Sequence, residues 1–243
     1  MKKYIIALVS ILLIGYILFS VFYFNKTLET AECIKLEVIV RDSSSYSFIN
    51  KADIENVLKK NKLHPVGLLM SDVNTLQMHD AIMTNKLIKS VEVYTTHKNV
   101  VVVKVSQRVP VFRVISDIKG SFYVDNNREI MPISQNFSIY VPIATGAISE
   151  EYATNDLFDF IEFLNDNPYW DAWFEQIEVK SNKDVVLIPR VGDFKILFGK
   201  MENFNEKLSK FSLFIDKGLD KVGWNRYSEI NLKFDNQVVC TKR

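Results

Sequence analysis

The 243-residue chain carries a net charge of +1 at pH 7, so it lacks the strongly basic character typical of nucleic-acid-binding proteins. Its two cysteines, Cys33 and Cys240, are too few for the disulfide framework that staples small secreted domains. The sequence leaves open whether these two thiols pair.

An uncharged stretch, Tyr4 to Phe24, lies near the N-terminus. As a helix of about 21 residues it would measure about 31 Å, close to the ~30 Å hydrocarbon core of a bilayer. Cleaved signal peptides have shorter apolar cores, so this stretch predicts an uncleaved transmembrane signal anchor. The anchor residues that we single out are Tyr4, Ile5, Leu12, Leu13, Gly15, Phe19, Phe22, Tyr23 and Phe24.

The charges that flank this stretch predict its orientation. Lys2 and Lys3 precede it, and the positive-inside rule then places residues 1–3 in the cytoplasm as a short tail. Residues 25–32 form a polar spacer, and the rest of the chain is expected outside the cytoplasm.

Residues 33–106 have the pattern of a β-α-α-β-β module. Apolar residues alternate from Ile34 to Val40, which predicts a strand, and Asn50 is a suitable N-cap for a first helix. A hairpin that turns at 97–99 closes the module. The face predicted for the second helix carries Leu76, His79, Ile82 and Met83.

Residues 107–243 read as a larger mixed β domain. Short apolar strands are interrupted by two amphipathic helices, roughly 154–165 and 204–217. Near the C-terminus, Ile230, Leu232 and Phe234 alternate with polar residues, which predicts a strand that has no later element to cover it. The fold class is therefore α+β, with a single N-terminal transmembrane helix ahead of two extracytoplasmic domains.

The residues of common active sites are missing from recognisable positions. His64, His79 and His97 have no partner at metal-ligand spacing, and the sequence contains no GxSxG elbow, HExxH motif or glycine-rich phosphate loop. We therefore expect a binding protein without metal or cofactor, and not an enzyme.

Several motifs near the domain junction resemble the FtsQ/DivIB family of bacterial cell-division proteins. They share the order and spacing of that family: Gln107 to Val114 (R-x-P), Tyr123-Val124-Asp125, Met131-Pro132, Val141 to Gly146 (V-P-x-x-x-G) and the closing Ile230 to Phe234. The sequence departs from the family where Asn127-Arg128 replaces a turn glycine, and where Asn231 and Lys233 replace an aspartate and an arginine.

This resemblance implies a POTRA domain over residues 33–106, a β domain over 107–243, and a scaffold role in the divisome. It implies partners of the FtsB and FtsL type and other divisome membrane proteins. It also implies a single-pass protein of the bacterial inner membrane, enriched at the division septum. Two other interpretations stay open: a membrane-anchored cell-envelope enzyme whose active site is unrecognised, and a POTRA-type translocation factor.

Two sets of residues are candidates for partner binding. On the uncovered C-terminal strand, β-augmentation would use Lys233, Phe234, Asp235, Asn236, Gln237, Val238 and Val239. In this hypothesis Phe234 is the apolar anchor, and proline at Gln237 or Val239 would block binding without unfolding the domain. On the second POTRA helix, the polar residues Gln77, Asp80 and Asn85 would form a recruitment face.

Overall fold

The structure, a computed structural model, describes residues 2–29, 31–41, 47–134 and 137–243, with the side chains of all of these except 2–7, 22–29 and 220. The chain divides into two compact units, Met1–Gln107 and Arg108–Arg243.

The N-terminal helix, α1, spans Lys2–Glu29 and therefore extends beyond the uncharged stretch into the predicted spacer. The described side chains of α1, residues 8–21, are exposed except for half-buried Ser20. Among residues with described side chains, no helix is both long and apolar enough to cross a membrane. The transmembrane anchor stays a prediction. Its residues outside the described side chains are Tyr4, Ile5, Phe22, Tyr23 and Phe24.

The rest of the first unit has the predicted β-α-α-β-β order. Its three strands are β1 (Lys35–Val40), β2 (Ile88–Thr95) and β3 (Val100–Gln107), and its two helices are α2 (Lys51–Lys60) and α3 (Thr75–Met83). The sheet order is β1-β3-β2, in which β3 is parallel to β1 and antiparallel to β2. The central strand is the most apolar one, since Val101, Val103 and Val105 are fully buried.

The two helices pack on this sheet through short apolar stripes. The predicted N-cap of α2 is confirmed: Asn50 accepts a hydrogen bond from the Asp53 N–H at 3.0 Å, and the Asp53 carboxylate accepts one from the Asn50 N–H at 2.9 Å. The face predicted for α3 is partly wrong. Ile82 is buried, but its partner one turn earlier is Met78, while Leu76 is 68% exposed in the first turn of the helix.

The second unit is built on a nine-stranded mixed sheet. Its strands are β4 (Pro110–Ser116), β5 (Gly120–Asp125), β6 (Ile130–Pro132), β7 (Ile143–Gly146), β8 (Phe174–Val179), β9 (Val185–Pro189), β10 (Lys195–Gly199), β11 (Tyr227–Asn231) and β12 (Val239–Lys242). The order across the sheet is β12-β11-β10-β9-β8-β7-β4-β5-β6. Three neighbouring pairs are parallel, namely β4–β7, β7–β8 and β10–β11.

Helices cover one face of this sheet. They are α4 (Glu150–Thr154), α5 (Asp156–Asn165), α6 (Pro168–Asp171), α7 (Phe204–Phe214) and α8 (Asp220–Val222), with a π-helical turn at Ile215–Leu219 and a 3-10 turn at Trp224–Arg226. Both predicted amphipathic helices are present as α5 and α7. Phe160 of α5 meets Phe198 of β10 with ring centroids 5.1 Å apart, at the centre of a core rich in aromatic residues.

The β5–β6 hairpin corrects one reading of the turn. Of the pair Asn127-Arg128 that replaces the family's turn glycine, the residue with a positive φ is Arg128 (φ 62) and not Asn127. Arg128 forms an ion pair with Asp159, and its guanidinium lies 4.4 Å from the centre of the Phe158 ring. These contacts with α5 offset part of the strain, which for a left-handed residue other than glycine is about 1–2 kcal/mol.

Candidate partner-binding edge of the sheet

Strand β12 forms one end of the nine-stranded sheet. In the described part of the chain its only strand neighbour is β11, and the two pair antiparallel with Asn231 opposite Val239 and Ile230 opposite Cys240. The backbone groups of β12 that point away from β11 therefore have no strand to bond. Such an edge is either blunted or used for pairing with another chain.

The direction of the β12 amides follows from Arg243, the residue directly after the strand. The Arg243 N–H donates to the Arg226 carbonyl at 3.3 Å, so it points toward the β11 side. Alternate residues of an antiparallel strand direct their amides to the same side. The extra residue of the irregular pairing lies in β11, between Tyr227 and Glu229, so the alternation along β12 is undisturbed. The outward donors are therefore the amides of Cys240 and Lys242.

The side chains of β12 and of the residue before it differ in burial. Val238 and Cys240 pack against the core, and burial raises the pKa of the Cys240 thiol. Val239 is 42% exposed, and Thr241 and Lys242 are exposed. The strand is thus held to its own domain on one face and offers its backbone at the edge.

Long-range contacts are made by the chain segments on both sides of β12. Before the strand, the Lys210 ammonium donates to the Phe234 carbonyl at 2.7 Å, across 24 residues of sequence. After it, the Arg243 guanidinium forms an ion pair with Asp193 in the β9–β10 connection. Val239–Lys242 is therefore an edge strand of the sheet with contacts to the rest of its domain on both sides.

The sequence-based position of the edge strand is shifted. Strand β11 ends at Asn231, whose side-chain oxygen accepts from the Lys233 N–H at 3.0 Å and turns the chain away from the ladder. Asn236 then has φ 58 in the turn that leads into β12. Of the predicted segment Lys233–Val239, only Val239 belongs to the edge strand, while Phe234 lies in the connection and is 47% exposed.

This shift also changes which substitution would test pairing. Val239 lies two residues before Thr241 and four before Arg243, so its amide points to the same side as theirs, toward β11. Proline at Val239 would therefore weaken the fold itself, contrary to the sequence-based expectation. Pattern reasoning missed Cys240 and Lys242, although the turn-forming Asn236 is a signal that a hairpin return begins there.

Lys233 lies in the connection between β11 and β12 and contacts residues that adjoin β9 and β10. Its ammonium lies 3.6 Å from the Asp184 carboxylate, and the Lys200 ammonium approaches the same group at 3.1 Å. The hydrogen bond from Lys200 lowers the pKa of Asp184, with smaller contributions from the charges of Lys200 and Lys233. Because Gly199 has no side chain, the aliphatic stem of Lys233 lies directly over it.

The predicted recruitment face of the first unit is only partly on a helix. Gln77 and Asp80 are exposed on α3, and the Asp80 carboxylate lies 2.9 Å from His79 Nδ1. Asn85, in contrast, lies after the end of α3 and is half-buried, and its side chain accepts from the Leu87 N–H at 3.0 Å. Asn85 therefore shapes the turn into β2 and does not extend the face of the helix.

No cluster of histidine, cysteine or acidic side chains suited to a metal ion is found among the described residues.

Comparison with known families identifies both units. A family model described as FtsQ/DivIB, C-terminal related, matches residues 109–241, which is more than half of the chain. A model described as a POTRA-like domain matches residues 31–106. A search of curated proteins finds no match. The resemblance carried by the sequence motifs is confirmed.

Proposed function

Because this chain belongs to the FtsQ/DivIB family of cell-division proteins, we propose that it is a non-enzymatic scaffold of the septum. In this role it links single-span partners of the FtsB and FtsL type through its extracytoplasmic domains. The observation that carries the proposal is the open, ordered edge strand β12.

The partner adds a strand beside β12. Its main-chain groups bond to the outward amides and carbonyls of Cys240 and Lys242, which supplies affinity without a requirement for a particular sequence. Specificity then comes from side chains beside the strand. Val239 and Phe234 are exposed apolar residues in position to contact the added strand or its flanks.

Order at the edge supports tight pairing. A strand that must first become ordered loses conformational entropy on binding, which costs roughly 1–2 kcal/mol for each residue backbone. The contacts from Lys210 and Arg243 hold β12 in place before any partner arrives. Preorganisation of this kind raises affinity because the ordering cost is already met in the folded protein.

The first unit supplies recruitment in this proposal. The exposed polar residues Gln77 and Asp80 of α3 contact another divisome protein, while α1 anchors the chain in the bacterial inner membrane with its N-terminus in the cytoplasm. Support for the anchor comes from exposed apolar side chains on every turn of α1 within residues 8–21.

Truncation of the full-length protein tests the scaffold proposal. A chain that ends at Asn236 lacks β12 and is expected to lose capture of an FtsB-type partner and to produce filamentous cells with segregated nucleoids. The matched control is Lys242→Ala in the full-length chain, which keeps the whole of β12 and every backbone N–H of the strand. Undiminished affinity of the chain that ends at Asn236, measured by titration calorimetry, would refute strand addition at this edge.

A further inference from the structure

The first unit exposes an apolar cluster that its own fold does not cover. Four side chains from two separate segments of the chain have large exposed fractions: Ile34 (67%), Val66 (44%), Leu68 (41%) and Leu69 (38%). Single exposed apolar residues are ordinary on soluble proteins, but contiguous apolar patches mark contact with another apolar surface.

Backbone bonds show that these residues are neighbours in space. The Cys33 N–H donates to the Leu68 carbonyl at 2.8 Å, and the Gly67 N–H donates to the Cys33 carbonyl at 2.9 Å. Leu69 forms a β-bridge with Glu32, so the loop 66–69 lies against the segment 32–34. We name Ile34, Val66, Leu68 and Leu69 the apolar loop cluster.

This cluster lies close to the end of α1, whatever direction that helix takes. The Met70 N–H donates to the Ala31 carbonyl at 2.8 Å, and Ala31 follows the last helical residue, Glu29, by two positions. Two residues of chain span at most about 7 Å. Leu69 and Met70 are therefore held within about 12 Å of the C-terminal end of α1.

If α1 is the membrane anchor, the end of α1 lies near the outer surface of the bilayer. From Phe24 to Glu29 a helix rises about 7 Å, and the headgroup layer on each side of a bilayer is about 5–7 Å thick. Glu29 then lies at the outer border of the headgroups or below it when the helix tilts. The short tether keeps the cluster within reach of the lipid.

Charged residues beside the cluster suit a lipid surface. Lys62, in the same loop as Val66, and Lys98, in the β2–β3 turn, are both exposed. That turn is joined to the cluster because the Ile34 N–H donates to the Asn99 carbonyl at 3.0 Å. Two exposed acids also lie at this end, Glu32 and Asp72, the second of which donates its N–H to the Leu69 carbonyl at 2.9 Å. Lysines at the border of an apolar surface bind lipid phosphates while the apolar side chains enter the interface.

We propose that the apolar loop cluster inserts into the outer interface of the membrane and fixes the first unit on the bilayer. The occupant of this surface is phospholipid, and the inference rests on the proposed anchoring by α1. Insertion limits the rotation of the unit about the tether that follows α1. The recruitment face on α3 is then presented at a set height above the membrane.

Fluorescence quenching by lipid tests this insertion in the full-length protein. In a Cys240→Ser background, in which buried Cys33 is protected from labelling, Leu68→Cys carries a nitrobenzoxadiazole label. The protein is reconstituted in vesicles of phosphatidylethanolamine and phosphatidylglycerol that contain nitroxide lipids, with the spin label either near the headgroup or deep in the acyl chain. The matched control is Leu76→Cys, an exposed leucine on α3 of the same unit that lies outside the apolar loop cluster.

The expected result is severalfold stronger quenching of the Leu68 label by the shallow nitroxide than of the Leu76 label. A further label at Leu12→Cys reports on α1 and should be quenched by the deep nitroxide. Equal, weak quenching at Leu68 and Leu76 with strong quenching at Leu12 overturns the insertion but leaves the anchor intact. Loss of quenching at Leu12 as well overturns both. If the emission of the Leu68 label is blue-shifted but not quenched by either nitroxide lipid, protein and not lipid covers the cluster, which also overturns the proposal.

Discussion

The two edge strands of the nine-stranded sheet, β6 and β12, differ in how readily another strand could pair with them. Strand β6, at one end, has three residues and finishes at Pro132, which has no N–H to offer a further strand. Its middle residue, Met131, is fully buried. Strand β12, at the other end, has no proline, has exposed Val239 in its first position and is held at both ends by long-range contacts.

This contrast shows that the openness of β12 is not a general property of the sheet. Natural proteins blunt edge strands with proline, shortness and charge, because an open edge invites aggregation. Proline and shortness both act at β6, whereas β12 has four residues and no proline, and Lys242 is its only charged residue. The β12 edge is therefore the less blunted of the two, which is why the proposed partner strand is placed there.

The largest expected effect concerns burial at the two edges. Met131→Ala should lower the free energy of unfolding by about 2–5 kcal/mol, because it leaves a cavity under β6. Val239→Ala, at a 42% exposed position, should change it by only about 0.5 kcal/mol. Urea titration of both variants measures the difference. Equal effects would mean that β12 is as deeply packed as β6 and that the contrast between the edges is wrong.

Proline at Lys242 tests which amides face outward. Lys242→Pro removes a donor that points away from β11 and should weaken binding of an FtsB-type partner about tenfold or more, with little loss of stability. Thr241→Pro removes a donor that points toward β11 and should mainly lower the unfolding free energy. Lys242→Ala, which keeps the N–H, is the matched control. A reversal of the two proline phenotypes would show that the amide directions are misassigned.

A smaller effect is expected from the ion pair at the end of β12. Arg243→Ala removes the contact with Asp193 but keeps the main-chain bond to Arg226. Exposed ion pairs contribute up to about 1 kcal/mol, so partner affinity should fall by a factor of about five at most. Calorimetric titration measures this. A loss as large as that of Lys242→Pro would show that Arg243 contacts the partner directly.

The smallest expected effect depends on pH and concerns Asp184, which forms an ion pair with Lys233 in the connection between β11 and β12. Because the folded-state pKa of Asp184 is lowered from 3.8, its contribution to stability is present above that value and is lost as pH falls through the folded-state pKa. Asp184→Asn should therefore lower stability near neutral pH, by less than about 1 kcal/mol, and have no effect in strong acid. Denaturation curves at both pH values measure this. A penalty that persists in acid would assign it to packing and not to charge.

Local sequence patterns determined much of the fold. The β-α-α-β-β order, the N-cap at Asn50, the helices near 154–165 and 204–217 and the family motifs all follow from residues close together in the chain. Alternation and capping act over a few residues, so a sequence can specify them without reference to distant contacts.

Tertiary structure alone decided which backbone groups are free. The order that places β12 at an end of the sheet depends on pairing with β11, and the direction of its amides depends on a bond between Arg243 and Arg226. Likewise, the apolar loop cluster exists only because the loop 66–69 folds back on residues 32–34. Period-two alternation tells which side chains share a face. It does not tell which strand lies alongside, because register and neighbours are set by long-range packing.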